Sequence, residues 1–177
     1  MPSARFLVCF LIFIEYERLF LRPMTLADLE DYHEYSSDAE LLKYDYPAHR
    51  SLEESCYGLV VWNLSQPLGR YGIELKSEGK LIGNISLRLD EEAGKAELGY
   101  TINARYHKQG YATEAAACLL DMLREMPGMH LLFAQTLKAN HAQRVLEKLG
   151  MTCVKSQTRQ SLPGQPAVRL LYQLKLK

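Results

Sequence analysis

The chain has 177 residues, 47% of them hydrophobic and 24% charged, which is enough for one domain with its own core and too little for two. Its 21 lysines and arginines balance 21 aspartates and glutamates, so nothing global draws it to nucleic acid, and any anion site has to be local. Cys9, Cys56, Cys118 and Cys153 show neither a CxxC pair nor Cys/His ligand spacing, and the histidines show no HExxH. No metal is expected, and a reducing, cytoplasmic setting is.

Residues 6–14 form an apolar run behind Arg5, the outline of a short signal peptide with no small-x-small cleavage site after it. The run is too short to span a bilayer. Residues 1–16 therefore read as a poorly ordered or strand-forming extension ahead of a domain at 17–177, with a membrane-surface or partner-binding role and secretion as the alternatives.

Leu19 and Leu21, between Arg18 and Arg22, read as a strand that Pro23 ends. Thr25, with Asp28 three residues on, starts a helix whose buried face carries Leu26, Leu29 and Tyr32. Ser37 with Glu40 and Ser51 with Glu54 have capping-box spacing and predict helices over 39–43 and 52–64. Asp28, Glu30, Asp31, Glu34, Asp38 and Glu40 read as a solvated helix face, or as an attractor for a cationic acceptor.

Beyond Pro67 and Gly69, alternation predicts an antiparallel meander: 71–75, 81–89 and 95–102, with turns at Gly79 and Gly94. A helix follows, burying Leu119, Met122, Leu123 and Met126, then a strand over 130–137 that can lie parallel to 95–102. A helix over 140–149, stopped by Gly150, and strands over 152–158 and 167–175 close a mixed α/β chain.

The chemistry concentrates in AELGYTINARYHKQGYATEAAA, residues 96–117: an apolar strand, a basic turn with one glycine, and an alanine-rich helix. The first amides of a helix lack partners inside it and face the positive end of its dipole, so the turn is an anion cradle suited to a pyrophosphate. His107 and Lys108 enter it, Gly110 lets backbone approach a ligand, and Ala112 keeps bulk away. GxxxxGK[ST] and GxGxxG are both absent, which argues against a nucleotide-triphosphate loop and a dinucleotide fold.

His107-Lys108-Gln109-Gly110-Tyr111-Ala112 resembles the Q/R-x-x-G-x-G/A loop of GNAT N-acetyltransferases, which holds the pyrophosphate of acetyl-CoA. Two further blocks resemble the branch that includes ribosomal-protein N-terminal acetyltransferases: residues 17–25, and residues 134–151 with Asn140 facing CoA. The resemblance implies a mixed, mostly antiparallel sheet of six or seven strands with flanking helices. Its central parallel pair is splayed for acetyl-CoA, and a homodimer is common in the family.

Carried onto this chain, the resemblance places main-chain contacts to the pantetheine arm around Tyr100 and Ile102. It places the diphosphate on His107, Lys108, Gln109, Gly110, Tyr111, Ala112 and Thr113, with Asn140 as a further CoA contact. Asn140 is equally an N-cap with Gln143 completing its box, and Thr113 and Glu114 can be ordinary first-turn residues. Glu97 is the candidate base, acting through water on an acceptor amine; pairing with an arginine or ordering a loop is its competing use.

The chain departs from the pattern where Leu146 and Gln143 replace a tyrosine and a serine able to donate a proton, and where His107 and Lys108 replace Gln/Arg and Gly. A CoA-binding domain without turnover is therefore the alternative to an enzyme. In this fold the acceptor is bound around 41–50 and 160–166, which makes Tyr44, Tyr46, His49 and Arg159 candidate wall residues.

Overall fold

The computed structural model describes residues 13–65, 67–138, 142–160 and 166–176, and for 159, 160 and 166 the main chain alone. One eight-stranded sheet runs through it: β1 (Ile14–Glu15), β2 (Leu19–Arg22), β3 (Arg70–Leu75), β4 (Lys80–Asp90), β5 (Lys95–Ile102), β6 (Leu131–Leu137), β7 (Thr152–Gln160) and β8 (Pro166–Lys175). Their order across the sheet is β1-β2-β3-β4-β5-β6-β8-β7, antiparallel at every junction except β5–β6. The strand beyond the expected seven is β1, two residues of the apolar extension paired with Phe20 and Leu21.

The alternation read from the sequence sorts the two faces. Leu19, Leu21, Tyr71, Ile73, Ile85, Leu87 and Leu98 pack under α4 (Tyr111–Arg124), whose Leu119 and Leu123 are fully buried among them. α4 is the crossover that lets β6 lie parallel to β5. The short α5 (Gln143–Lys148) covers the same face through Leu146.

The opposite face carries α1 (Leu29–Ser36) and α3 (Leu52–Leu59), with the one-turn α2 (Ala39–Leu42) between them in sequence, and a smaller core of Met24, Tyr32, Tyr35, Leu59 and Leu81. Tyr35 reaches through to donate to Asn84 Oδ1 at 3.0 Å.

Three local expectations change. Asp38, not Ser37, caps α2, accepting from the Glu40 and Leu41 amides at 3.0 Å, while Ser37 Oγ donates back to the His33 carbonyl. The helix over 52–64 starts on Ser51 as expected, but after Leu59 it widens into a π turn at Val60–Leu64.

The acidic residues, finally, are a solvated face only in part: Glu30, Glu34 and Glu40 are exposed. Asp28 is buried against Arg22 at 2.6 Å, Asp31 and Glu34 both meet Lys80, and Asp38 is a cap. Lys80 stands on β4, 46 positions beyond Glu34, a partner that helical periodicity cannot register.

Candidate functional site

β5 and β6 bond through only three register pairs, Lys95↔Leu131, Ala96↔Leu132 and Glu97↔Phe133. Beyond them β5 stays with β4 as far as Ile102, while β6 stays with β8 as far as Leu137. A gap opens in mid-sheet, and the edges facing it carry main-chain donors and acceptors that no described strand uses.

The loop that closes the gap is assembled from β5 onward. Asn103 accepts from the Arg105 amide at 3.1 Å and starts a 3-10 turn at Ala104–Tyr106. His107 then folds back, and its Nε2–H donates to the Ile102 carbonyl at 2.8 Å. This bond holds one imidazole nitrogen of His107 against the end of β5 and braces the loop.

Lys108 and Gly110 follow with φ of 62° and 88°. Gly110 takes the left-handed conformation without strain, whereas Lys108 holds it as a lysine where the family's glycine would be at ease. The Glu114 amide reaches the Gly110 carbonyl at 3.0 Å; among the described residues, the amides from Lys108 through Thr113 meet no main-chain acceptor. They stand at the positive end of a 14-residue helix, the arrangement that receives a phosphate.

Arg18, just before β2, completes the loop. Its amide and Nε donate to the two oxygens of Glu114 at 2.8 and 2.7 Å, its Nη1 donates to the Gln109 carbonyl at 3.1 Å, and its guanidinium lies 4.5 Å from the centre of the Tyr111 ring. The sequence reading assigned Arg18 no role at the loop, because its partners lie more than ninety positions away. Tyr111 is buried beneath it and contributes packing.

Residues 18–152 match the acetyltransferase (GNAT) domain family. The chain belongs to the GNAT acetyltransferase family. The Bacillus subtilis protein YnaD, an uncharacterised N-acetyltransferase, is 30% identical over 136 residues, 76% of this chain and 79% of that one. A GNAT-family acetyltransferase from Bacillus anthracis superposes with a TM-score of 0.81 at 27% identity, covering 93% of this chain and 98% of the other. The microcin C7 self-immunity acetyltransferase MccE, solved with acetyl-CoA and AMP, shares the fold at a TM-score of 0.80 and 17% identity, over 91% and 94% of the two chains. Membership makes this protein an N-acetyltransferase, a class whose donor is acetyl-CoA.

On the GNAT sheet, Glu97 lies at the last rung before the gap, on the α1/α3 face, directly opposite Arg88 and 2.9 Å from its guanidinium. Tyr100 and Ile102 point to the other face. Ile102 is buried, so only its main chain can meet a ligand. The Tyr100 hydroxyl lies 3.5 Å from the Ala142 carbonyl, long for such a bond, so it is loosely held where β5 has left β6. Burial first, and the Asp45 charge second, raise its pKa and keep its proton on.

Asp45, between α2 and α3, is open to solvent yet crowded enough by protein that desolvation raises its carboxyl above the ordinary range. It has no ion-pair partner among the described residues, and its charge adds to the burial that raises the Tyr100 and Tyr46 hydroxyls. The Tyr46 and His49 rings pack with their centres 5.8 Å apart. Tyr44 instead lies under the Lys43 ammonium.

Gln143 donates to the Lys138 carbonyl at 2.7 Å and Leu146 is core, so neither supplies a proton. Asn140 and the 161–165 loop lie outside the described residues, as does the Arg159 side chain. Among the described residues no cluster of His, Cys, Asp and Glu could hold a metal, and no helix is long and apolar enough to cross a membrane.

Proposed function

We propose that this protein transfers the acetyl group of acetyl-CoA to a primary amine, either the α-amino group of a polypeptide or a small-molecule amine. The observation that carries the reading is the parting of β5 from β6 after Glu97 and Phe133, immediately ahead of a loop whose amides lack main-chain acceptors. The gap suits an extended pantetheine arm and the loop a diphosphate, with Arg18 offsetting the Glu114 carboxylate beside it.

The amine nitrogen attacks the thioester carbonyl, the carbon–sulfur bond breaks, and the thiolate leaves with a proton. Holding both reactants in attack geometry supplies about 7 to 11 kcal/mol of the barrier reduction. The amine must first lose its own proton. At pH 7 that costs about 4.6 kcal/mol for a lysine side chain and about 1 kcal/mol for an α-amino group, from pKa values near 10.4 and 7.7. An α-amino acceptor asks less of the base.

Glu97 takes that proton through water, with Arg88 orienting its carboxylate. Tyr100 returns one to the departing thiolate, in place of the donors that Gln143 and Leu146 cannot supply.

The test is thiol release from acetyl-CoA with a panel of N-terminal peptides and small amines, beside calorimetric titration with acetyl-CoA. Turnover that collapses in Glu97→Gln is the expected result. Tight CoA binding with no acceptor consumed would leave the binding-only reading, and no CoA binding would end both.

A further inference from the structure

Beside α3 lies an open groove of about 380 Å³ lined by His49, Glu53, Glu54, Tyr57, Gly58 and Trp62. The imidazole of His49 lies so close to α3 that a Cβ on Gly58 would come within 2.6 Å of its Cε1. Its Nδ1 is 3.0 Å from Ser55 Oγ, which also meets His33 Nδ1 at 2.7 Å and Ser36 Oγ at 3.0 Å. One hydroxyl has one proton to give, so at most one imidazole accepts from Ser55 and the other donates to it. Burial, with His33 adding and Glu54 opposing, holds His49 below the ordinary imidazole range, so it is neutral at pH 7.

The charge of the groove therefore comes from its carboxylates. Arg50 neutralises Glu54 at 2.6 Å, whereas exposed Glu53 has no ion-pair partner among the described residues. Tyr57 and Trp62 are 70% and 62% exposed. Five residues apart on a regular α-helix, they would stand about 140° from one another around the axis. The π turn at Val60–Leu64, closed by the Ser65 amide on the Val60 carbonyl at 2.8 Å, breaks that spacing, and both rings border one groove. Such turns concentrate at functional sites.

We propose that this groove binds the cationic side chain, lysine or arginine, of a polypeptide acceptor, at a position downstream of the α-amino group that is acetylated. An unpaired carboxylate beside two open aromatic faces offers an ion pair and cation–π contact together. At its inner end His49 packs on Tyr46, whose neighbour Asp45 is near enough to the strand gap for its charge to act on the Tyr100 hydroxyl. An acceptor that touches both ends must be extended, which a polypeptide is. The inference rests on the transfer reading of the gap.

Trp62 is the chain's one tryptophan, so its emission reports on the groove directly. Full-length protein with CoA is titrated with two peptides that share an N-terminal residue, one carrying lysines at the next three positions and the other alanines, followed by fluorescence and, with acetyl-CoA, by thiol release. The lysine peptide is expected to shift Trp62 emission and to exceed the alanine peptide about 5- to 10-fold in kcat/KM. Glu53→Gln and Trp62→Leu each bring that ratio to within about twofold, with acetyl-CoA affinity unchanged.

Equal rates for the two peptides with unaltered emission would overturn the proposal. So would Trp62→Leu converting a dimer to a monomer without moving the ratio, which makes the groove a contact between copies. Loss of acetyl-CoA binding in the unmodified protein would strike the transfer reading instead, and the fluorescence titration would still decide the groove.

Discussion

Arg18 and Glu114 tie the start of β2 to the first turn of α4, the Arg18 amide and Nε each reaching one oxygen of the same carboxylate. The pair places a carboxylate beside an anion site and cancels it, since the Arg18 guanidinium also reaches the Gln109 carbonyl of the loop. Arg18→Met is expected to raise the Kd for acetyl-CoA about 3- to 10-fold and to lower Tm, because the Glu114 carboxylate, only 7% exposed, loses its counterion. Glu114→Ala strands the Arg18 amide and is expected to cost about 1 to 3 kcal/mol of stability as well. Calorimetry with acetyl-CoA and thermal denaturation separate the two effects.

What the sequence made legible was periodic or local. Alternation placed β2 through β8, and the basic, glycine-bearing entry to α4 marked the cradle, because each depends on neighbours a few residues away. Glu114 was legible only as a first-turn acid, for its partner Arg18 stands before another strand. Asp38 and Ser37 are adjacent and both able to cap, and only the backbone decides between them. The π turn inserts a residue into a 3.6 period and has no sequence sign of its own. The end of β5–β6 pairing at Phe133 was expected from family resemblance, not from any pattern in the two strands.

Glu97 and Arg88 pose a question that activity alone would blur. If Glu97 is the base, Glu97→Gln lowers kcat about 10²- to 10⁴-fold with acetyl-CoA affinity intact, while Arg88→Met changes kcat less than about tenfold. If Glu97 merely pairs with Arg88, the two variants shift Tm alike and kcat alike. Tyr100→Phe is expected to lower kcat by about 10²-fold, and less so with an activated thioester whose thiolate needs no proton. Steady-state kinetics beside CoA titration reads all three.

Arg22 and Asp28 form the buried ion pair that fixes the first helical turn to the sheet, with Glu74 on the guanidinium's other side. Burial alone would raise the Asp28 carboxyl, but the Arg22 hydrogen bonds and the Thr25 amide overcome it and hold it below the ordinary range. Arg22→Met leaves the Asp28 and Glu74 carboxylates without their cation and is expected to cost about 3 to 5 kcal/mol, whereas Asp28→Asn leaves Arg22 its Glu74 partner and is expected to cost less. A lowered carboxyl contributes stability above its unfolded value near 3.9 and loses it as pH falls through the folded value. The urea midpoint should therefore drop with acid below about pH 4, and less steeply in Asp28→Asn.

Asp45 carries the opposite sign. Desolvation raises its carboxyl, so the ionised form costs stability at pH 7, and the penalty fades as pH falls toward the unfolded value near 3.9. Asp45→Asn is then expected to raise Tm at pH 7 and to match the unmodified protein at about pH 3.5. A charge held at a cost to folding, and acting on the Tyr100 hydroxyl, suits a residue that receives the acceptor ammonium. The same substitution is expected to raise the amine KM about tenfold with acetyl-CoA affinity unchanged. A variant more stable at pH 7 but with unaltered amine KM would mean that Asp45 bears its desolvation for some other reason.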